Sequence, residues 1–482
     1  MQLLMLILMV AVLLPTPTPD SDGSAVAVGV VAGGMLLLIV ACLISARLLR
    51  SSLRGDRPDM AVERAARLVR LVQWIAVGGV VAAIVGLGLL GAIRSLVGDV
   101  PLLDEAITVA PALVVIVVAW WVFHPFERTI QESVILRRLD EGTPISPIPG
   151  RAAWVMMQIR LQMLVILLPI ALLALVSESI RLWFGSWPQP PGWLWYLILA
   201  GALVPIALLA PWLVMKLMGA RPMSRGAIRD ALEAMCDAVG VRVRDLMLWP
   251  TGGTLVNAAV TGLVSRARWV LMTDGLLETL PRPQVLAVMA HELGHARLRH
   301  MPWMALAVVS MSALFGLVVD SAADLLFTQW VATEADPRRA IRLSHAIDVG
   351  AIVVVMTSVL IVFGWVSRRF ERQADAFAAV LVSRGSDGGQ VENVHSTGAD
   401  AMASALLGVA STNGVPPRRF SWRHGSIDSR CRHLRSLIGR SAEDLPIDRE
   451  VALIKVGSVL ALASSLGWWI WEMGREGVSW SS

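Results

Sequence analysis

Long apolar segments recur along the chain, and they constrain its fold more than any other feature of the sequence. A helix of about 20 apolar residues is needed to cross the hydrocarbon core of a bilayer. Hydrophobic residues make up 56% of the chain and charged residues 16%, which excludes an ordinary soluble enzyme. Segments of the required length lie at about 25–46, 71–93, 106–123, 162–180, 194–215, 302–319, 349–366 and 452–471. The sequence therefore predicts an integral membrane protein, a membrane α-helical bundle with about seven to nine spans.

The N-terminal segment, residues 1–14, is apolar but short, and no lysine or arginine precedes it. It is interpreted either as the core of a signal peptide or as a short first span. A polar linker that contains three prolines follows it.

Arginines between the apolar segments predict the orientation in the membrane. The segment 47–70 and the segment after residue 123 are rich in arginine, whereas the alternate segments 94–105 and 181–193 hold only Arg94 and Arg181. By the positive-inside rule the arginine-rich segments face the cytoplasm, and counting spans forward places residues 216–301 there too. No basic stripe with interleaved aromatic residues is present, so the net charge of +5 does not indicate nucleic-acid binding.

The segment 283–300 contains the motif His291-Glu292-Leu293-Gly294-His295 in a pattern typical of a helix. Residues four apart lie on one face of a helix, so His291 and His295 can offer two imidazole nitrogens to one tetrahedral Zn²⁺. Glu292 lies beside them and can accept a proton from the attacking water. Pro302 is expected to end this helix. The alternative interpretation is a surface helix that carries two unrelated histidines.

The segment that leads to this motif has the pattern of a soluble α+β domain. Residues 224–239 predict an amphipathic helix, and residues 241–249, 254–262 and 268–273 predict three short strands separated by turns. Together with the motif helix they favour a zincin-like metallopeptidase core set between membrane spans.

A catalytic zinc site needs a third protein ligand, and the best candidate lies beyond two further spans. Glu371 and Asp375 are one helical turn apart. Glu371 would ligate the metal, and Asp375 would accept the ring N–H of a zinc-binding histidine and so fix its tautomer. The alternative is a charged helix face next to the membrane. Cys42, Cys236 and Cys431 are far apart and form no CxxC pair, which argues against a thiolate site.

In combination, the sequences HELGH, FERQADAFA about eighty residues later and NAAVTG upstream resemble a known family. The family is that of the integral-membrane gluzincins, which include the CAAX prenyl endopeptidases and the bacterial heat-shock membrane proteases, and the similarity covers roughly residues 222–437. It implies one Zn²⁺ per chain held by His291, His295 and Glu371, with Glu292 as general base.

The resemblance also implies roles for four further residues. Asn257 and Ala258 would lie on an edge strand that pairs with the substrate backbone, although they could also be ordinary sheet positions. His424 would donate a hydrogen bond to the developing oxyanion, and Arg430 would help to orient the site. Gly425 replaces the proline that usually follows this histidine in the family. The remaining histidines, His124, His300, His345, His395 and His433, are expected to be bystanders.

The predicted function is zinc-dependent hydrolysis of peptide or membrane-protein substrates in the lipid bilayer. The arginine-rich, lysine-poor composition indicates a bacterium and so an inner-membrane location, which favours membrane-protein quality control over CAAX-type prenyl-protein processing. Two alternatives from other functional classes are a metal transporter and an inactive membrane scaffold. A transporter needs ionisable groups at bilayer depth, and five of the apolar segments contain none.

The expected domain organisation follows from these segments. It comprises a signal-like or short first span and linker, a five-span membrane region, a cytoplasmic metallopeptidase core, a two-span hairpin, a cytoplasmic segment that completes the active site, and a C-terminal span and tail; these are residues 1–23, 24–216, 217–301, 302–367, 368–450 and 451–482.

Overall fold

The structure is a computed structural model that describes residues 2–12, 21–53, 58–140, 147–184, 192–253, 255–384 and 392–479. It divides into two units, Met1–Ala220 and Arg221–Ser482. The predicted linker after residue 14 lies outside the described residues as far as residue 20. A helix, Ser21–Ser52, begins directly after it.

The first unit is entirely helical over its described residues. Its helix α3 packs between α2 and α5, and residues such as Val80, Ile84, Val115 and Ile116 are buried in the resulting core. Gly88, with a φ of 66°, ends α3 within the predicted span at 71–93, and α4 follows it. The helices are α1 Gln2–Val12, α2 Ser21–Ser52, α3 Pro58–Leu87, α4 Leu89–Val97, α5 Leu103–Asp140, α6 Arg151–Gln158, α7 Val165–Phe184 and α8 Gly192–Leu217, with a π-helical segment, Ile159–Leu164, joining α6 to α7.

The second unit combines a small sheet with long helices. Its strands are β1 Arg221–Pro222, β2 Asp245–Trp249, β3 Ala258–Thr261 and β4 Trp269–Thr273. Their order is β1-β2-β4-β3, with β2 parallel to β4 and the other pairs antiparallel. Its helices are α9 Ala227–Val239, α10 Asp274–Thr279, α11 Arg282–Arg297, α12 His300–Leu326, α13 Pro337–Ser383, α14 Ser396–Thr412, α15 Ile427–Leu437 and α16 Pro446–Ser479. Strand β3 therefore lies at an edge of the sheet.

Seven helices within the described residues are long and apolar enough to cross a membrane. They span Gly23–Ser52, Asp59–Leu87, Leu103–Ser133, Arg151–Ile180, His300–Val331, Pro337–Ser383 and Pro446–Glu472, and a shorter apolar helix covers Val204–Leu217. The predicted fold class, a membrane helical bundle with a small α+β domain, is confirmed.

Several predicted boundaries in the second unit were wrong. The strand expected at 241–249 begins only at Asp245, and the strand expected at 254–262 shortens to Ala258–Thr261. Pro302 does not end the motif helix, since α11 already ends at Arg297. Arg299 takes a left-handed φ of 56°, which turns the chain so that α12 begins at His300. Pro302 lies in the first turn of α12, where proline is tolerated because its missing N–H has no partner to lose.

The carboxylate of Asp274, at the start of α10, fixes the turn between β2 and β3. It accepts hydrogen bonds from the Thr251 hydroxyl at 2.5 Å and from the backbone N–H groups of Thr251 and Gly252 at 3.0 and 2.8 Å. It also accepts one from the N–H of Gly275 at 2.8 Å. These bonds favour the ionised form and lower the pKa of Asp274, although burial alone would raise it.

We expect Asp274→Ala to destabilise the second unit by about 2 kcal/mol, because several donors of the turn lose a charged acceptor at once. Thermal unfolding of the purified protein in detergent measures this as a lower Tm. Asp237→Ala removes an exposed carboxylate from the end of α9 and should leave the Tm nearly unchanged. Equal Tm values for the two variants would show that Asp274 does not stabilise the turn.

Candidate active site

Helix α11 carries the first two candidate ligands. Its side facing the core is apolar, with Val285, Met289 and Leu293 buried, and this packing holds the helix against the sheet and α13. The Nε2 atoms of His291 and His295 approach each other to 3.2 Å. Ligand atoms at tetrahedral positions on one Zn²⁺ are about 3.3 Å apart when each lies about 2.0 Å from the ion. The two imidazoles therefore already have the spacing of a pair of zinc ligands.

Glu371 of α13 supplies the third candidate ligand. Its carboxylate oxygens lie 3.6 Å from His291 Nε2 and 3.7 Å from His295 Nε2. Ligand atoms of these three residues all lie within 4.8 Å of one another. Two nitrogens and one carboxylate oxygen are a donor set that suits a catalytic zinc with one position left for water.

His291 is oriented by Asp375, which lies one helical turn beyond Glu371. The Nδ1 atom of His291 is 3.0 Å from Asp375 Oδ1. A carboxylate can only accept at this contact, so the proton of a neutral His291 lies on Nδ1 and the lone pair of Nε2 is directed towards His295 and Glu371.

His295 is oriented by a different chain of groups, through His300. The amide nitrogen of Gln373 donates to Asp448 at 2.6 Å, so the amide oxygen of Gln373 faces His300 Nε2 at 2.8 Å and must accept its proton. His300 Nδ1 is then an acceptor, and it lies 2.9 Å from His295 Nδ1, which must donate. The Nε2 lone pair of His295 is therefore free to bind a metal.

The expectation that His300 is a bystander was wrong. Its ring also stacks on Phe370, with the centroids 4.5 Å apart and the planes 9° from parallel. In the sequence His300 lies five residues after His295, a spacing that gives no shared helix face. The break at Arg299 brings the two rings together.

Charge at the site also fits a divalent cation. The carboxylates of Glu292, Glu371 and Asp375 gather around the single guanidinium of Arg430, which leaves a net charge of about −2 when all are ionised. Although burial lowers the pKa of His291, the neighbouring carboxylates of Asp375 and Glu371 raise that pKa to about 10. The group therefore attracts positive charge, as a zinc site requires.

Arg430 of α15 joins two of these carboxylates. Its Nε and Nη2 atoms donate to the two oxygens of Asp375 at 2.7 and 2.6 Å. Its Nη1 atom lies 3.2 Å from Glu371 Oε2. Arg430 is buried, so it acts on the site through the carboxylates that it fixes.

Glu292 lies between the metal-binding group and strand β3. Its Oε2 atom accepts a hydrogen bond from the N–H of Val260 at 3.0 Å. Burial raises the pKa of Glu292 to about 7. A carboxyl group with such a pKa can accept a proton and release it again near neutral pH.

The predicted substrate-binding residues are at the free edge of β3. Asn257 turns its backbone towards β4, since its N–H donates to the Thr273 hydroxyl and its carbonyl accepts from the Thr273 N–H. Backbone groups alternate along a strand, so those of Ala258 point to the open edge. The Asn257 side chain is exposed, and both residues line a cleft of about 1080 Å³ that also contains Glu292.

His424 is in a loop that rests on the membrane helix α13. Its Nδ1 atom lies 2.9 Å from Glu371 Oε1. Gly425 has a φ of 75°, which proline cannot adopt, so this turn excludes the proline that the family resemblance led us to expect. Two residues before His424, Trp422 stacks on Phe363 with the ring centroids 5.2 Å apart. A Cβ atom on Gly364 would lie 2.4 Å from the Trp422 indole nitrogen, so only glycine allows this contact.

Part of the chain is similar to known proteases. Residues 223–438 match peptidase family M48. The protease HtpX of Pseudomonas aeruginosa (strain LESB58) is 26% identical over 230 residues, which cover 45% of this chain and 69% of the relative. The CAAX prenyl protease 1 homolog of Arabidopsis thaliana is 29% identical over 167 residues, which cover 33% of this chain and 38% of the relative. The superposition on the crystal structure of S. mikatae Ste24p has a TM-score of 0.44 at 16% sequence identity. It covers 87% of this chain and 100% of the Ste24p chain.

Glu371→Ala should lower the affinity for zinc by about 100-fold or more, because one of three ligands is removed. Metal analysis of the purified protein, combined with competition against a chelator, measures the change. Glu450→Ala, which removes an exposed carboxylate of α16, should bind zinc as the unmodified protein does. Unchanged zinc content in Glu371→Ala would point to another third ligand.

Proposed function

We propose that the chain is a membrane-embedded zinc metalloendopeptidase, and the match of residues 223–438 to peptidase family M48 supports this. The observation that carries the proposal is the convergence of two oriented Nε2 atoms, 3.2 Å apart, on the carboxylate of Glu371. We assign His291, His295 and Glu371 as the ligands of one Zn²⁺ per chain. When bound, zinc supplies Lewis-acid activation of water and of the scissile carbonyl.

Glu292 is assigned as the general base and later the general acid. Its carboxylate takes a proton from the attacking water and passes it to the nitrogen of the leaving amine. The pKa of about 7, raised by burial, suits both directions of transfer. The bond from the Val260 N–H holds one oxygen of Glu292, so the other remains available for the proton.

Substrate binding is assigned to the edge of β3, where Ala258 can pair with the peptide backbone and Asn257 offers its amide side chain. His424 is assigned as a hydrogen-bond donor to the oxyanion that develops on the carbonyl. Its contact with Glu371 holds one ring nitrogen beside the ligands, and the opposite ring nitrogen is left for the substrate.

We further propose that the site faces the cytoplasm from a bacterial inner membrane and acts on damaged or misfolded membrane proteins. The arginine-rich segments near the spans support this orientation. CAAX-type processing is the second candidate, and the similarity to the Arabidopsis thaliana CAAX prenyl protease 1 homolog favours it. Proteomic comparison of membrane fragments formed with the active protein and with a Glu292→Gln variant separates the two, since only the second candidate predicts fragments from prenylated C-termini.

Glu292→Gln should keep zinc and lose hydrolysis by about 100-fold or more, because glutamine cannot accept the proton of the attacking water. Cleavage of a fluorogenic peptide and zinc content are measured on the same preparation. Glu443→Gln changes an exposed carboxylate away from the cleft and serves as the matched control. Full activity in Glu292→Gln would remove Glu292 from the mechanism.

His424→Ala should lower kcat by about 100-fold with zinc still bound, because one donor to the oxyanion is lost. Steady-state kinetics and metal analysis are the two measurements. His395→Ala, at an exposed position, provides the control. Loss of zinc together with activity would show that His424 is a ligand, in contradiction to its assignment here.

A further inference from the structure

The rim of the active-site cleft is strongly basic. Among the described residues that line it, the only carboxylates are those of Glu292 and Glu371, which belong to the catalytic group. The arginines that line the cleft in addition to the buried Arg430 are Arg268, Arg297, Arg299, Arg419 and Arg423. The cleft therefore has an excess of positive charge that no lining side chain neutralises.

One of these arginines, Arg268, lies at the C-terminal end of the edge strand β3. Arg268 donates to the carbonyls of Gly262 and Leu263, with its Nη2 atom 3.0 Å from the Leu263 oxygen. The turn that brings Arg268 back to the strand requires glycine at position 262, because its φ is 98° and a Cβ there would lie 1.7 Å from the Ala267 carbonyl oxygen. Arg268 is thus fixed in line with the strand along which a substrate would bind.

Arg299 lines the same cleft as Arg268. Burial, together with the positive charge of Arg299, lowers the pKa of Arg268. Within the described part of the chain, neither guanidinium forms an ion pair with a carboxylate. Arg299 also has the strained φ of 56° described above, and such strain is typical of functional positions. Two guanidinium groups that line one cleft without a carboxylate partner favour a bound anion.

A different wall of the same cleft is apolar. Met402, Leu406 and Val409 of α14 and Val288 of α11 line it. The side chain of Asn413 fixes this wall to the start of the edge strand, since it bonds to both the N–H and the carbonyl of Val256 at 3.1 and 2.8 Å. The cleft thus offers an apolar surface and, where β3 ends, the guanidinium of Arg268.

We propose that the cleft selects peptides that combine an apolar side chain near the cleaved bond with acidic side chains bound by Arg268 and Arg299. This inference rests on the proposed peptidase function and names its substrate class. A carboxylate can accept from a guanidinium through two parallel hydrogen bonds, and the partial enclosure of Arg268 strengthens that contact. Aspartate or glutamate two or more residues from the cleaved bond therefore binds beyond Thr261, where the guanidinium of Arg268 lies.

An anionic lipid headgroup is the competing occupant, because Arg299 and Met301 lie at the start of the candidate span His300–Val331. The peptide is favoured by the position of Arg268. Its guanidinium is held by carbonyls that directly continue β3, inside the cleft that contains Glu292. A carboxylate on a peptide paired with β3 reaches this position without leaving the strand.

The test compares internally quenched peptides with one leucine-containing core, flanked on either side by three glutamates or by three glutamines. The zinc-loaded full chain is assayed in nanodiscs, and each glutamate peptide is compared with the glutamine peptide that is flanked on the same side. On the side where glutamate gives the higher kcat/KM, the glutamate peptide should exceed its glutamine counterpart about tenfold. This ratio should fall as salt is added. Arg299→Gln and Arg268→Gln should each bring the ratio towards one. Replacing both arginines by glutamate should invert the preference in favour of peptides flanked by lysine. Arg266→Gln, an exposed arginine of the same turn outside the cleft lining, should keep the ratio.

Binding is measured separately, by fluorescence anisotropy of the same peptides on the Glu292→Gln variant. A glutamate preference in binding without hydrolysis by the unmodified chain would support the acidic subsite and contradict the proposed peptidase function. Hydrolysis of glutamate and glutamine peptides at equal rates would overturn the subsite and leave the peptidase function standing. If the arginine variants change the dependence on phosphatidylglycerol but not the peptide ratio, the pair binds lipid and the inference is wrong.

Discussion

The geometry of the site depends on the contacts that the buried guanidinium of Arg430 makes with two carboxylates. The guanidinium donates twice to Asp375 and lies 3.2 Å from Glu371, and each of these carboxylates in turn contacts a histidine of α11. Burying three charges together is unfavourable unless each is paired, so the arrangement is stable only as a set. Arg430 of α15 thereby fixes the two carboxylates of α13 that face the histidines of α11.

The two histidines reach the same tautomer by different routes. His291 Nδ1 faces a carboxylate oxygen of Asp375 at 3.0 Å, whereas His295 donates to a second imidazole whose own proton is held by the Gln373 amide. Because Gln373 is oriented by Asp448, a residue of α16 takes part in directing the Nε2 lone pair of His295. The C-terminal helix, which sequence analysis left without a role, is in this way part of the support of the site.

The sequence predicted the features that depend on residues close together in the chain, and it predicted contacts between distant segments less well. The spacing of His291 and His295 defines a shared helix face, and long apolar segments define spans, because both depend on local geometry. Glu371 was a candidate because a catalytic zinc needs a third ligand, and the family resemblance implied the same residue, but nothing local relates α11 to α13. His300 was missed because a left-handed residue, Arg299, breaks the helical spacing. The basic rim was missed because its arginines are dispersed along the sequence, and only the fold collects Arg268 and Arg299 in one cleft.

The contact between Trp422 and Gly364 relates the active-site loop to the membrane. Gly364 and Glu371 are seven residues apart on α13, which is two helical turns, so they lie on nearly the same face. The indole of Trp422 packs on the first, and His424 contacts the second at 2.9 Å. Arg368, between them, donates to the Trp422 carbonyl at 2.8 Å. The loop that carries His424 is therefore attached to the same face of α13 that presents the candidate ligand Glu371.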